Sequence, residues 1–210
     1  MDLTSIEVLG DERVGKGGFL VLRRMRLRLV LADGSKTKEG LWDFVERPMG
    51  LDAVVLALYR RAALVEVLLR SGVRVPVQFG RPEAPPSLLL PELVAGILER
   101  GEVTEAAVRK RAADEALEEA GLAIEVQSVE RLGAPMFPSP GMCAELFHFV
   151  CAEVPRDATA AVPQGDGSPF EEGARLEWVP LEVALARCAR GEIQDLKTEL
   201  GLRRLREKLG

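Results

Sequence analysis

The alternation of apolar and polar residues over the first 47 positions predicts a small antiparallel sheet. Apolar residues dominate Phe19–Leu22, and they alternate with arginine over Met25–Leu31. The segment Ala32–Ser35 predicts a hairpin turn in which Gly34 adopts a positive φ, and a further strand begins at Trp42–Val45. Because so few strands bury little surface, we expect this sheet to pack on the main domain or on a partner subunit.

Longer apolar runs after residue 50 predict a second, buried sheet. Asp52–Leu58 and Ala62–Leu69 are apolar runs separated by a polar break at Tyr59–Arg61, and the proline-rich Gln78–Pro91 predicts a surface loop. A second loop is expected over Pro155–Gly173. The remaining predicted strands are 124–132, 146–152 and 175–179, and the remaining predicted helices are 181–190 and 193–209.

The best-defined predicted element is a helix from Thr104 to Ala120, because this run contains no glycine or proline. Thr104 is a suitable N-cap, and Glu105 suits the positive end of the helix dipole. Gly121 follows at the position where a left-handed C-cap is expected. We therefore predict a loop, a helix and a loop over residues 92–122.

The predicted helix groups three carboxylates on one face, because Glu115, Glu118 and Glu119 are spaced at i, i+3 and i+4. Such carboxylates repel one another, and a hard divalent cation such as Mg²⁺ would turn this repulsion into attraction. A solvated acidic face is the alternative that the pattern alone leaves open. The opposite face is expected to lie against a sheet and consists of Ala106, Ala113, Ala116, Leu117 and Ala120.

Composition is that of a globular protein with one well-buried domain and a small accessory sheet. The 210-residue chain is 47% hydrophobic and 29% charged, and its net charge of −5 gives no reason to expect nucleic-acid or membrane binding. Three cysteines without CxxC spacing and one histidine make a zinc site improbable. The N-terminus lacks a signal-peptide pattern and no apolar run is long enough to span a bilayer, so we expect a cytoplasmic protein with reduced thiols.

The segment Glu92–Leu122 resembles the Nudix box, whose pattern is G-x5-E-x7-R-E-U-x-E-E-x-G-U with U an aliphatic residue. Gly96 and Glu102 match its beginning, and Glu115–Leu122 matches its end. Four extra residues separate Glu102 from Glu115, and Asp114 stands where the box has an arginine. Arg111, one helical turn before Glu115, is the candidate to replace that arginine through an i,i+4 contact.

Three further stretches resemble the ADP-ribose pyrophosphatase-like, or nucleoside diphosphate sugar hydrolase-like, branch of that superfamily. They are Ser139-Pro140-Gly141 followed by Glu145, the tail Gly191–Thr198, and Glu46–Pro48 after the N-terminal strands. The resemblance implies an α+β fold, a Nudix α/β/α sandwich with a mixed β-sheet plus a small N-terminal antiparallel β-sheet. We expect residues 1–47 to form the N-terminal sheet region, serving dimerisation or substrate binding, and 48–210 the Nudix hydrolase domain.

The resemblance also implies residue roles. Mg²⁺ (or Mn²⁺) would be held by Glu115, Glu118, Glu119 and the carbonyl of Ala95. Glu145 would be the catalytic base, with Glu118 and Glu119 as the other catalytic carboxylates. The substrate would contact Arg47, Arg74 and Ile97. The implied activity is hydrolysis of a nucleoside diphosphate sugar, first of all ADP-ribose to AMP and ribose 5-phosphate.

Alternatives remain at each level. UDP-glucose or GDP-mannose is the alternative substrate, and a nucleotide-sugar sensor without catalysis is the alternative class. Surface solvation explains Arg47 and Arg74 equally well, and Asp195 and Lys197 are more typical of an ion pair or a helix cap. His148 is more typical of a satisfied core residue than of a ligand. A homodimer through the N-terminal sheet is the expected assembly.

Overall fold

The computed structural model describes residues 3–15, 19–48, 50–80, 83, 87–102, 104–165 and 173–210. The chain divides into two compact units. The first comprises Met1–Leu51 with Ser139–Glu145, and the second comprises Asp52–Pro138 with Leu146–Gly210. The predicted division of the chain at residue 47 stays a prediction.

The first unit contains a three-stranded antiparallel sheet in the order β1-β2-β3. Its strands are β1 (Leu3–Val14), β2 (Val21–Leu31) and β3 (Gly40–Glu46). Arg23 of β2 lies 2.6 Å from Asp11 Oδ2 of β1 and 2.7 Å from Glu46 Oε1 of β3, so its charge is compensated on both sides. The predicted turn is confirmed, since Gly34 has φ 81° and the Leu31 N–H donates to Ser35 O at 2.9 Å. The small N-terminal antiparallel sheet is therefore present.

The second unit contains a mixed sheet, which has seven strands in the described part of the chain. They are β4 (Ala53–Arg61), β5 (Val65–Val73), β6 (Leu89–Glu92), β7 (Val94–Ile97), β8 (Glu130–Arg131), β9 (Phe147–Glu153) and β10 (Arg175–Pro180). The central path is β10-β5-β4-β9-β8, with β6 paired to β5 and β7 paired to β4. The β4–β9 pair is parallel and the other pairs are antiparallel.

Helices cover both faces of this sheet. They are α2 (Glu105–Ala120), α3 (Leu181–Ala189) and α4 (Leu196–Leu209), whereas the short helix α1 (Val75–Phe79) has no buried residue. One buried cluster joins α3 and α4 to the sheet, and a second joins α2 to the opposite face. This arrangement confirms the expected α/β/α sandwich. Within the described residues, every helix is too short or too polar to cross a membrane.

Three predicted elements differ from the structure. The polar break at 59–61 is wrong, because β4 continues to Arg61 and the turn falls at 62–64. Arg60 remains in the strand by bonding Glu66 at 2.6 Å and by stacking 4.4 Å from the Trp178 ring centroid. The strand at 124–132 is also wrong, since Val126–Ser128 forms a 3-10 turn and only Glu130–Arg131 pairs.

The third difference concerns the proline-rich segment, which is not wholly a loop. Residues 78–79 belong to α1 and residues 89–91 belong to β6, whereas residues 81–82 and 84–86 lie outside the described residues. The loop predicted at 155–173 has neither helix nor strand over 155–165, and residues 166–172 lie outside the described part. The Ala161 and Gly165 N–H groups donate to the carbonyls of Gly121 and Glu118, so this segment lies across the end of α2.

Candidate active site

Helix α2 has the ends that its sequence predicts. The Thr104 side chain accepts a hydrogen bond from the Ala107 N–H at 3.2 Å, and Gly121 adopts a left-handed conformation with φ 67°. The Gly121 N–H donates to the carbonyls of Ala116 and Leu117, which closes the last turn. The three glutamates therefore lie on a rigid helix whose two ends are both satisfied.

The rotation of α2 differs from the prediction. Its buried residues are Val108, Ala112, Glu115, Ala116 and Ala120. Ala106 is exposed and Leu117 is 50% exposed, so assigning these two to the sheet-facing side is wrong. The cause is that Glu115 and Glu119 are accommodated beside β7, which turns Leu117 outward. The carboxylates of Glu115 and Glu119 therefore lie against the sheet rather than on an open acidic face.

Glu115 lies directly over Gly96 of strand β7. A Cβ added at Gly96 would come within 3.0 Å of three Glu115 atoms, namely Oε1, Cδ and Cγ. Since real Cβ atoms essentially never approach so closely, only glycine at this position leaves room for the carboxylate. This contact explains why the glycine and the glutamate of the motif occur together.

Glu119 is held by groups on both of its oxygens. Its Oε2 accepts a hydrogen bond from the Ala95 N–H at 3.2 Å, and its Oε1 lies 3.3 Å from Nη1 of Arg70 on β5. The side chains of Arg70 and Glu119 are only 11% and 12% exposed. This carboxylate is consequently fixed between a backbone donor and an internal cation.

Glu118 is the most accessible of the three glutamates, with 43% of its side chain exposed. Arg111 Nη1 lies 3.9 Å from Glu118 Oε2 and 3.7 Å from Glu115 Oε1, so the guanidinium stands between two carboxylates. Asp114, which occupies the arginine position of the box, is paired with Lys110 at 2.6 Å instead. The predicted contact of Arg111 with Glu115 is therefore confirmed.

A buried ionic network lies at the strand that leads into β7. Arg74 donates to both oxygens of Glu92, and Lys197 Nζ lies 3.1 Å from Glu92 Oε2 and 2.8 Å from Asp195 Oδ2. Burial opposes ionisation of Glu92, but hydrogen bonds from Arg74 and the charge of Lys197 outweigh it and hold the pKa of Glu92 below 4.5. Hydrogen bonding to Glu92 likewise raises the pKa of Arg74.

The same network anchors helix α4. Asp195 is its N-cap and accepts from the Thr198 N–H at 3.0 Å, which confirms the cap and ion-pair interpretation of Asp195 and Lys197. The fully buried Thr198 hydroxyl donates to Asp195 and accepts from the Leu93 N–H at 2.8 Å. A single hydroxyl thus ties α4 to the backbone immediately before β7.

Arg47 and Glu145 contact each other within the first unit. Arg47 donates to Glu145 Oε1 and to the Leu51 carbonyl, and their side chains are 12% and 20% exposed. The loop before Glu145 is tied to β3, because the Val45 N–H donates to Met142 O at 2.8 Å. The predicted base and the predicted substrate arginine are therefore neighbours.

The candidates Ile97 and His148 lie in the second unit. Ile97 ends β7 opposite Ala53 and is half-buried. His148 Nε2 lies 3.0 Å from Asp52 Oδ2, which confirms that it is a satisfied, partly buried residue. The cysteines are free thiols, buried at Cys151 and Cys188 and half-buried at Cys143.

Known proteins resemble the chain along most of its length. It is 35% identical over 191 residues to the GDP-mannose pyrophosphatase of Citrobacter koseri (strain ATCC BAA-895 / CDC 4225-83 / SGSC4696), covering 90% of this chain and 89% of that protein. The chain belongs to the Nudix hydrolase superfamily. No protein-family model matches it.

One solved structure shares the fold of this Nudix hydrolase along its whole length. A crystal structure of an ADP compounds hydrolase superposes with a TM-score of 0.69 at 17% identity, covering 100% of this chain and 96% of that chain. A NUDIX hydrolase from Alicyclobacillus acidocaldarius gives 0.49 at 14% identity over 73% of this chain and 90% of that chain, which is too weak to add to the argument. The first similarity confirms the α+β fold with its additional N-terminal sheet.

The donor chemistry of the Nudix helix fits a hard divalent cation. Carboxylate oxygens and a backbone carbonyl are the ligands that Mg²⁺ prefers. Among the described residues, no three His, Cys, Asp or Glu side chains already form a ligand cluster, and Arg111 stands as a cation between two of the glutamates. By their chemistry, Glu115, Glu118, Glu119 and the Ala95 carbonyl are the groups that would hold a metal ion.

Sequence reasoning missed Arg70, Glu92 and Thr198 as parts of the site. Arg70 and Glu92 each lie next to an apolar run that predicts a buried strand. A charged residue is uncommon in a protein core unless its charge is paired, and this was the available signal. Thr198 belongs to the tail Gly191–Thr198, but the resemblance of that tail gave its hydroxyl no role. Each partner lies far away in sequence, so the pairing itself was not visible.

Proposed function

We propose that this Nudix hydrolase cleaves the pyrophosphate bond of a nucleoside diphosphate sugar, with GDP-mannose as its preferred substrate. The products would be GMP and mannose 1-phosphate. The observation that carries the proposal is the end-to-end similarity to a GDP-mannose pyrophosphatase. ADP-ribose, which the sequence motifs placed first, becomes the second choice, since the similarity to an ADP compounds hydrolase is a similarity of fold alone.

The geometry of the helix supports hydrolysis in preference to sensing. A pyrophosphate diester resists attack because its anionic oxygens repel nucleophiles, so the reaction needs charge neutralisation and an oriented water. A bound Mg²⁺ (or Mn²⁺) supplies charge neutralisation and a more acidic water when present. The chain contributes two carboxylates fixed against β7, at Glu115 and Glu119, and one accessible carboxylate at Glu118.

The remaining roles belong to the same proposal. Glu145 would accept the proton of the attacking water. Arg47 holds Glu145 in place and is a candidate to contact the substrate phosphates. Arg74 keeps 45% of its side chain exposed while it is anchored by Glu92, which suits a phosphate contact. Ile97, at the end of β7, is the candidate apolar contact.

A pair of helix variants tests the class of reaction. Glu118→Gln removes the accessible carboxylate charge, whereas Glu105→Gln changes an exposed glutamate in the first turn of the same helix. With Mg²⁺ present, we expect Glu118→Gln to lower nucleotide-sugar turnover by at least 100-fold and Glu105→Gln to change it less than threefold. Wild-type activity of both variants would exclude Glu118 from the reaction.

We also propose a homodimer through the N-terminal sheet. The strand pairing places Val8 and Trp42 on one face of that sheet, and each is 55% exposed, which leaves apolar area that a second copy would cover. Light scattering of the purified protein measures the mass directly. A mass of one chain at micromolar concentration would refute this assembly.

A further inference from the structure

The structure assigns a positioning role to Arg70, a residue outside the Nudix box. We propose that Arg70 fixes the orientation of Glu119 so that this carboxylate is ready to bind a divalent cation. The inference rests on the proposed function, because it concerns the metal that the reaction would use. Arg70 lies on β5, and its role in the site is inferred from its contact with Glu119.

The contacts of Glu119 carry the argument. Arg70 Nη1 is 3.3 Å from Glu119 Oε1, while the Ala95 N–H donates to Oε2 at 3.2 Å. Both oxygens of this carboxylate are therefore held by the surrounding protein. Because Arg70 and the Ala95 N–H restrict the Glu119 carboxylate, its side chain has less rotational freedom left to lose when a metal binds.

Arg70 suits this role because its own side chain is largely buried. Its side chain is 11% exposed, and it extends from the buried strand β5, in which Leu68 and Leu69 are 2% and 1% exposed. In metal sites generally, groups that hold the ligands in orientation contribute about 10–100-fold to metal affinity. Arg111 lies elsewhere in the site, within 3.9 Å of carboxylate oxygens of Glu115 and Glu118.

Gly72 offers a way to move Arg70 without changing its charge. A Cβ at Gly72 would lie 3.1 Å from Arg70 Nη1, so the guanidinium would have to shift by a few tenths of an ångström. The φ of Gly72 is not in the left-handed region, so alanine is tolerated by the backbone. Gly72→Ala therefore displaces the Arg70 guanidinium while the arginine and its charge are retained.

The test measures Mn²⁺ binding to the full-length protein without substrate, using the electron paramagnetic resonance signal of free Mn²⁺. We expect Arg70→Met to weaken binding by about 10–100-fold. Arg70→Lys, which keeps the charge but loses the planar fork, and Gly72→Ala should both weaken it by a smaller factor. The matched control is Arg60→Met, another part-buried arginine of the sheet, paired with Glu66 rather than with the helix. Its Mn²⁺ affinity should equal that of the wild type.

The outcomes separate this inference from the proposed function. If the wild type binds Mn²⁺ and Arg70→Met and Gly72→Ala bind it equally well or more tightly, Arg70 has no positioning role. If the wild type binds no Mn²⁺ at millimolar concentration, the metal-dependent function itself is wrong and this inference with it. Circular dichroism of each variant establishes that its fold is retained.

Discussion

Gly96→Ala is the sharpest structural perturbation of the site, because it adds one methyl group against Glu115. The added Cβ would lie within 3.0 Å of Oε1, Cδ and Cγ of that side chain. Glu115 would have to leave its place over β7, where it is 8% exposed, or the strand would have to shift. Overpacking of this kind costs about 1–3 kcal/mol, partly offset by about 0.5–1 kcal/mol from the lower chain entropy of alanine in the unfolded state.

Urea denaturation and nucleotide-sugar turnover measure the two consequences. We expect Gly96→Ala to lose about 1–2 kcal/mol of unfolding free energy and most of its activity. Gly40→Ala is the matched control, since Gly40 also lies in a strand and a Cβ there would meet nothing within 4 Å. The control should retain both stability and activity.

A double variant identifies the cause of the loss. In Gly96→Ala/Glu115→Ala the colliding side-chain atoms are absent, so we expect the alanine at 96 to cost nothing further in stability. The coupling between the two sites should be about 1–2 kcal/mol, within the usual range for residues in contact. Additive effects, or an active and stable Gly96→Ala, would refute the placement of Glu115 over the strand.

Two further predictions concern the network that supports β7. Thr198→Val should lower the unfolding free energy by about 1–3 kcal/mol in urea, because a buried backbone N–H loses its acceptor; no loss would contradict that bond. The pKa of Glu92 is depressed below 4.5, so its contribution to stability is present above pH 4.5 and is lost as the pH falls through the folded-state value. The stability difference between wild type and Glu92→Gln should therefore narrow on acidification, and a difference that widened would contradict the ion pairing.

Local signals predicted the elements that local interactions define. Helix α2 begins at the residue after Thr104 and ends before Gly121 because both caps are made within a few residues. The rotation of that helix was not predictable in the same way. It depends on the contact between Gly96 and Glu115, which lie 19 positions apart in the sequence. Because of this contact the charged Glu115 is buried, whereas the apolar Leu117 is exposed.

The site residues that belong to a sequence motif were predictable. Those brought to the site only by the tertiary fold were not. The three glutamates were identifiable from spacing, and Arg111 followed from the i,i+4 rule once Asp114 was seen in the arginine position. Arg70 reaches Glu119 only because β5 and α2 meet in the folded sheet. Similarly, residues 124–132 have the composition of a strand, but most of that segment forms a 3-10 turn and coil.

The central claim is the hydrolysis of a nucleoside diphosphate sugar with GDP-mannose preferred, and a substrate comparison tests it most directly. Purified protein with Mg²⁺ is assayed against GDP-mannose, UDP-glucose, ADP-ribose and NADH, and the nucleotide products are separated by chromatography. We expect the highest kcat/KM for GDP-mannose, with GMP as the nucleotide product. A higher kcat/KM for ADP-ribose would overturn the substrate assignment, and cleavage of none of the four would contradict the claim itself.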